Sequence, residues 1–235
     1  MDRSDGIKYG VIFLIFVILV ILLIVGTGAI RRHVKQQTTD SPMVITSPVN
    51  AFEPRQYASD NFVASTNGLQ MSWSTWIFIN RWDYKFGSWK NIFVRQNADG
   101  SKRSPGLWLY PKTNALHARI STSFEDNEGC DVQNIPLQKW VMITYVLNNR
   151  TVDIYVNGKL ERSCVLKGIP LLEAGDLFVA KDNGFYGQIA KLQYFNRALV
   201  PSEVLDMYRE GPYISDAFRL PVFKAEALKQ VGGSS

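Results

Sequence analysis

Two hydrophobic patterns divide the chain. Residues 11–25 form an unbroken run of fifteen apolar side chains, VIFLIFVILVILLIV, and with Tyr9, Gly10 and the GTGAI that follows the apolar stretch reaches Ile30. About twenty residues, at a helical rise of about 1.5 Å each, match a hydrocarbon core of about 30 Å, so residues 9–30 are predicted to be a transmembrane helix. From Leu69 onward the period becomes two. In Met71-Ser72-Trp73-Ser74 and on through Trp76-Ile77-Phe78-Ile79 the centre is apolar on both faces, as in a strand buried between layers, with Trp73 and Trp76 filling the core. NIFVR at 91–95, GLWLY at 106–110 and ALHARIS at 115–121 read as further short strands. In the last of these Leu116, Ala118 and Ile120 point one way and His117, Arg119 and Ser121 the other.

The clearest stretch is a three-strand antiparallel meander: WVMITYVL from Trp140, TVDIYV from Thr151 and KLERSCV from Lys159. Its second turn is Asn157-Gly158, a strong hairpin signal because both turn positions need positive φ. GQIAKLQYF at 187–195 gives one more strand. Residues 201–210 are predicted to be helical, with Pro201 in the first turn, Glu203 at the positive end of the dipole and Gly211-Pro212 as the stop. Many short antiparallel strands with a single late helix predict a mainly β fold, an antiparallel two-sheet jelly-roll sandwich, preceded by a single N-terminal transmembrane helix. The predicted organisation is a short tail (1–8), the transmembrane helix (9–30), a basic juxtamembrane segment and tether (31–67), the domain (68–223) and a flexible C-terminal tail (224–235).

A cleaved secretory signal competes for the apolar run, since Gly26-Thr27-Gly28 or Gly28-Ala29 offers small residues for cleavage. Asp2 and Asp5 offset Arg3 and Lys8 in the preceding region, and the run is long, so a retained anchor is favoured. Arg31, Arg32 and Lys35 follow the run, against two basic residues before it, which by the positive-inside tendency puts the domain on the cytosolic side.

Charge narrows the partners. The net charge is +5, but 21 of the 26 Lys+Arg and 19 of the 21 Asp+Glu lie beyond Lys35, leaving that part at only +2. That is no footprint for nucleic acid. The cluster Arg31, Arg32 and Lys35 suits lipid headgroups instead. Cys130 and Cys164 are the only cysteines, too few for a zinc site. They are either a disulfide, closing a loop of about 35 residues, or two small buried thiols. Asn149-Arg150-Thr151 is a glycosylation sequon, meaningful only on a lumenal side.

The run Trp140-Val141-Met142, the hairpin from Val152 to Leu160, Gly184-Phe185-Tyr186-Gly187-Gln188-Ile189 and Leu192-Gln193-Tyr194-Phe195-Asn196-Arg197-Ala198-Leu199 before the Pro-Ser-Glu helix resemble the concanavalin A-like lectin/glucanase superfamily, nearest to its laminin G-like jelly rolls. One departure is Val200, where the family usually has a serine or similar cap. The anchor combined with WDYKFGSWKNIF, PGLWLYPKTNALHARIST and GCDVQNIPLQKW is similar to membrane-anchored versions encoded by large DNA viruses of algae and protists. That resemblance implies a virion membrane or minor capsid protein, its domain on the cytosolic or capsid-facing side, with the lipid bilayer and capsid proteins as partners.

Glucanases of the superfamily carry E-x-D-x-x-E on a strand, so that carboxylates share a cleft. Glu125-Asp126-Asn127-Glu128 has the wrong spacing and reads as a loop, and only His33 and His117 are present, so no catalytic residues are assigned and an enzyme is not expected. Relatives hold calcium with loop oxygens; Asp182 and Asn183, and Asp99-Gly100, offer such donors, yet each is equally turn chemistry, and no cofactor is assigned beyond calcium as a candidate. Trp82, Tyr84, Trp89, Trp108 and Tyr186 are the candidate contact residues, their rings suited to stacking on sugars or anchoring a protein. The expected function is a noncatalytic, membrane-anchored binding or structural module. The alternatives are a carbohydrate-binding lectin-like surface protein and, third, a glycan hydrolase.

Overall fold

A computed structural model of the chain describes residues 13–14, 16–23, 25–27, 40–172 and 175–213. The chain forms two compact units, Met1–Thr39 and Asp40–Ser235. In the first, the described residues are helical and include exposed Phe13, Leu14, Phe16 and Leu19. Among the described residues no helix is long and apolar enough to cross a membrane. The tail 1–8, the cluster Arg31, Arg32 and Lys35 and the C-terminal tail 224–235 lie outside the described residues.

The second unit is built from two antiparallel sheets. The first contains β1 (Met43–Ile45), β2 (Val49–Asn50), β4 (Gln70–Arg81), β9 (Trp140–Asn148), β10 (Thr151–Val156), β11 (Lys159–Val165) and β13 (Tyr186–Phe195). Its order is β1-β13-β4-β9-β10-β11, with β2 also paired to β13. The second contains β3 (Arg55–Tyr57), β5 (Lys90–Gln96), β6 (Arg103–Leu109), β7 (Leu116–Ile120), β8 (Glu128–Val132) and β12 (Asp176–Val179), in the order β3-β12-β5-β6-β7-β8. The helix α1 (Pro201–Glu210) closes the described chain.

Alternation builds the core between the sheets. Met71, Trp73, Ile77 and Ile79 of β4 and Val141, Ile143, Tyr145 and Leu147 of β9 meet Phe93, Leu107, Leu109 and Leu116 of the second sheet. The Trp73 ring lies 5.2 Å from Phe93 and 4.9 Å from Tyr194, centroid to centroid. Each such side chain stabilises the fold by about 1.5–3 kcal/mol through burial. The predicted Asn157-Gly158 turn has φ of 52° and 78° at its two positions.

Trp76 departs from the expectation that it fills the inter-sheet core. It sits on the other face of β4, with Met142, Val146, Tyr155 and Ala190, in a second apolar cluster roofed by Val204 of α1. Tyr208 stacks on the Trp76 ring at 5.7 Å. This second layer explains why β4 is apolar on both faces. Val200 supplies no side-chain cap to α1; the Glu203 carboxylate instead accepts the Val200 N–H at 2.9 Å and pairs with Arg197.

The tether expected at 31–67 is corrected over its second half, since β1, β2 and β3 lie within it. Met43 pairs with Gln193 and Tyr57 with Leu177, so the folded unit begins at Asp40 rather than at residue 68. Strands of two or three residues carry no readable period, and edge pairing still satisfies their backbone groups. Glu128 also leaves its expected loop and opens β8. Its buried carboxylate accepts from Thr122 Oγ1 at 2.7 Å and from the Lys167 and Gly168 N–H groups at 2.8 and 2.9 Å. Burial alone would raise its pKa, but those donors hold it below the ordinary range. Cys130 of β8 and Cys164 of β11 are joined as a disulfide that ties one sheet to the other, with Cα atoms 6.1 Å apart.

Candidate recognition site

The outer face of the second sheet gathers aromatic and charged side chains by strand register. Asn91 pairs with Trp108, Trp108 with His117, and His117 with Asp131, forming one row across β5 to β8. Leu107, Leu109, Leu116 and Ala118 face the core, so the residues between them face outward. Trp89, just before β5, and Tyr110, just after β6, complete the group.

The rings enclose the imidazole. Trp89 lies 4.5 Å from the His117 ring, Tyr110 meets it edge-on at 5.3 Å and Trp108 at 6.3 Å. Trp89 is 45% exposed, so part of its ring stays open to solvent. The Arg103 guanidinium sits 5.6 Å over Trp108. Trp108 folds back across Gly106, where a Cβ would come within 2.1 Å of a ring carbon.

Beneath the rings is a fixed polar network. Asp131 Oδ1 accepts from Arg119 Nη2 at 2.8 Å and lies 2.9 Å from His117 Nδ1. Arg119 Nη1 also donates to the carbonyls of Ala118 and Cys130, at 2.9 and 2.8 Å. Burial, then the Arg119 charge, lowers the His117 pKa, outweighing Asp131 and keeping the imidazole neutral at pH 7. Burial would raise the Asp131 carboxyl, but hydrogen bonds from Arg119, Tyr110 and His117 and the Arg119 charge hold it below its ordinary value. A neutral ring bonded through Nδ1 to a carboxylate is oriented rather than free to swing. The arrangement offers a flat ring surface beside pre-positioned hydrogen-bonding groups.

The five predicted contact residues separate into three places. Trp89 and Trp108 belong to this face. Tyr84 and Tyr186 form another group with Phe52: Tyr186 stacks on Phe52 at 5.6 Å, Tyr84 lies 6.0 Å from Tyr186, and Arg81 covers Tyr186 at 5.7 Å. Trp82 turns inward, packing on the core with its ring 5.1 Å from the buried Lys90 ammonium. Sequence reasoning missed Tyr110, Arg119 and Asp131 and gave His117 no role, although alternation had already put His117 and Arg119 on one polar face.

The calcium donors fit poorly. Asp182 and Asn183 have φ of 56° and 60°, and the Asp182 carbonyl accepts the Lys85 ammonium, which puts a positive charge where a divalent ion would bind. Asp99 closes its own turn, accepting the Ser101 N–H at 2.8 Å. Among the described residues no three His, Cys, Asp or Glu side chains are grouped to hold a metal.

Two packed antiparallel sheets with one ring-bearing outer face define a lectin-like binding-domain fold. A laminin G-type family described as the concanavalin A-like lectin/glucanases superfamily matches residues 55–205, and the chain belongs to it. Similar solved structures include the botulinum neurotoxin serotype D binding domain, at 14% identity and a TM-score of 0.51, covering 60% of this chain and 37% of that one. The receptor binding domain of botulinum neurotoxin D is similar at 13% identity and a TM-score of 0.50, covering 72% and 47%. The receptor binding domain of the C/D mosaic serotype is similar at 14% and 0.50, covering 60% and 36%. The chain spans less than half the length of these structures, and at such identities the likeness shows the fold alone. No curated protein matches the chain.

Proposed function

We propose that the sandwich is a noncatalytic recognition module that binds carbohydrate through Trp89, Trp108 and His117, held at a membrane by residues 9–30. The observation that carries this is the half-exposed Trp89 ring, tilted against and 4.5 Å from an imidazole that Asp131 orients. A sugar's apolar C–H face suits such a ring, and its hydroxyls suit the polar groups beside it. The anchor's part is to raise the local concentration of the module for glycans near the bilayer. Its support is the length and apolarity of the run.

A second reading assigns a protein partner, in a virion whose membrane this chain links to capsid proteins. It draws on the sequence resemblance and on the separate group of Phe52, Tyr84 and Tyr186, near which Phe86 is 62% exposed in the 82–89 loop.

The test is a glycan array followed by titration of the best ligand with the native chain and Trp89→Ala. The expected result is saturable binding that weakens at least about tenfold in the variant, about 1.4 kcal/mol. Binding that Trp89→Ala leaves intact, or no glycan binding by folded protein, defeats the carbohydrate reading. Crosslinking from position 86 to a protein in the native membrane or particle would favour the second.

A further inference from the structure

We propose that Asn149 is an N-glycosylation site and that the folded unit therefore lies on the lumenal, oxidising side of its membrane. The inference rests on residues 9–30 directing the chain to a membrane, and is independent of the ligand of the sheet face. Asn149-Arg150-Thr151 is the one Asn-x-Ser/Thr sequence in the chain. It occupies the two-residue connection between β9 and β10, where Asn149 is exposed and has φ of 55°. The Asn149 N–H donates to the Leu69 carbonyl at 2.8 Å, which fixes the turn. The Arg150 guanidinium folds away onto the Leu166 and Lys167 carbonyls, with bonds of 3.0, 2.6 and 2.6 Å. The Asn149 carboxamide contacts the neighbouring Asn148 side chain at 3.4 Å, so a glycan on it would displace no core group.

The second observation is covalent. The Cys130–Cys164 disulfide joins two sheets across a sequence separation of 34, and structural disulfides form and persist in oxidising compartments. Glycosylation and this disulfide require the same side. The basic residues, three after the run and two before it, favour the opposite orientation by a margin of one, and long domains translocate largely regardless of such counts. A retained anchor with its N-terminus in the cytosol and a cleaved signal would both deliver Asn149 to the lumen.

The experiment is translation of the full chain with microsomes, as native sequence, as Asn149→Gln, and with an Asn-Ser-Thr sequon appended after Ser235. The expected result is protease-protected chain with one endoglycosidase-sensitive shift, lost in Asn149→Gln, and a second shift from the appended sequon. A shift from the appended sequon alone overturns the site. Membrane-associated chain with neither shift overturns the orientation. Chain that never associates with the microsomes overturns the inference through its targeting premise, which that result alone identifies.

Discussion

The two sheets have outer faces of similar material and opposite fate. On the seven-stranded sheet Trp76, Met142, Val146 and Tyr155 lie under α1, where Val204 is fully buried. On the six-stranded sheet Trp89, Trp108 and Tyr110 ring His117, and among the described residues no helix packs over them. Apolar rings on the covered face act in stability, whereas on the open face they are supported from below by Asp131 and Arg119 and remain available to solvent. An outward-facing tryptophan therefore means little until its roof is known.

The largest test of that contrast is a pair of truncations. Trp76→Ala should cost about 3–5 kcal/mol in denaturant unfolding, because it leaves a cavity between sheet and helix. Trp89→Ala should cost less than about 1 kcal/mol, as a partly exposed position outside the core. Equal losses would erase the distinction. Next comes the covalent link between the sheets. Cys130→Ser with Cys164→Ser should lower stability by about 2–4 kcal/mol, and an unchanged denaturation midpoint under reducing conditions would show that the sheets hold without it.

Titration probes the open face more finely. His117 has its folded pKa below the ordinary 6.5, so its contribution to stability is complete above about pH 6.5 and is lost as pH falls through the folded value. Asp131 is likewise depressed below 3.8, and its contribution is lost further down, through its own folded value. The melting temperature should be flat with respect to these groups above pH 6.5 and fall below it, and His117→Gln should remove the first part of the fall. A profile identical to the native one would release His117 from the network. The smallest effect concerns the roof: Val200→Ser should stabilise by about 0.5–1 kcal/mol by adding an N-cap acceptor, read as a rise in thermal midpoint.

Much of this architecture was legible in the residues. The Trp140 to Val165 meander announces itself through period-two alternation and the Asn157-Gly158 turn, and α1 through Pro201 and Gly211. What escaped was short or long-range. β1, β2, β3 and β12 have two to four residues each, and their strand character comes from edges supplied by distant segments. The site was half visible for the same reason. Trp89 and Trp108 stand out as rings, and the Pro111-Lys112-Thr113-Asn114 turn joins β6 to β7, but the meeting with Asp131 depends on β8, whose residues read as a loop. Trp82 shows the converse: an aromatic just past the end of β4 that packs on the core, its ring beside the buried Lys90.

Gly106 gives that open face a hidden dependency. The Trp108 ring rests where a methyl group would otherwise stand. A surface built for grip thus owes its contour to a vacancy in the strand below, and even alanine there would lift the indole and spoil the seat for whatever docks.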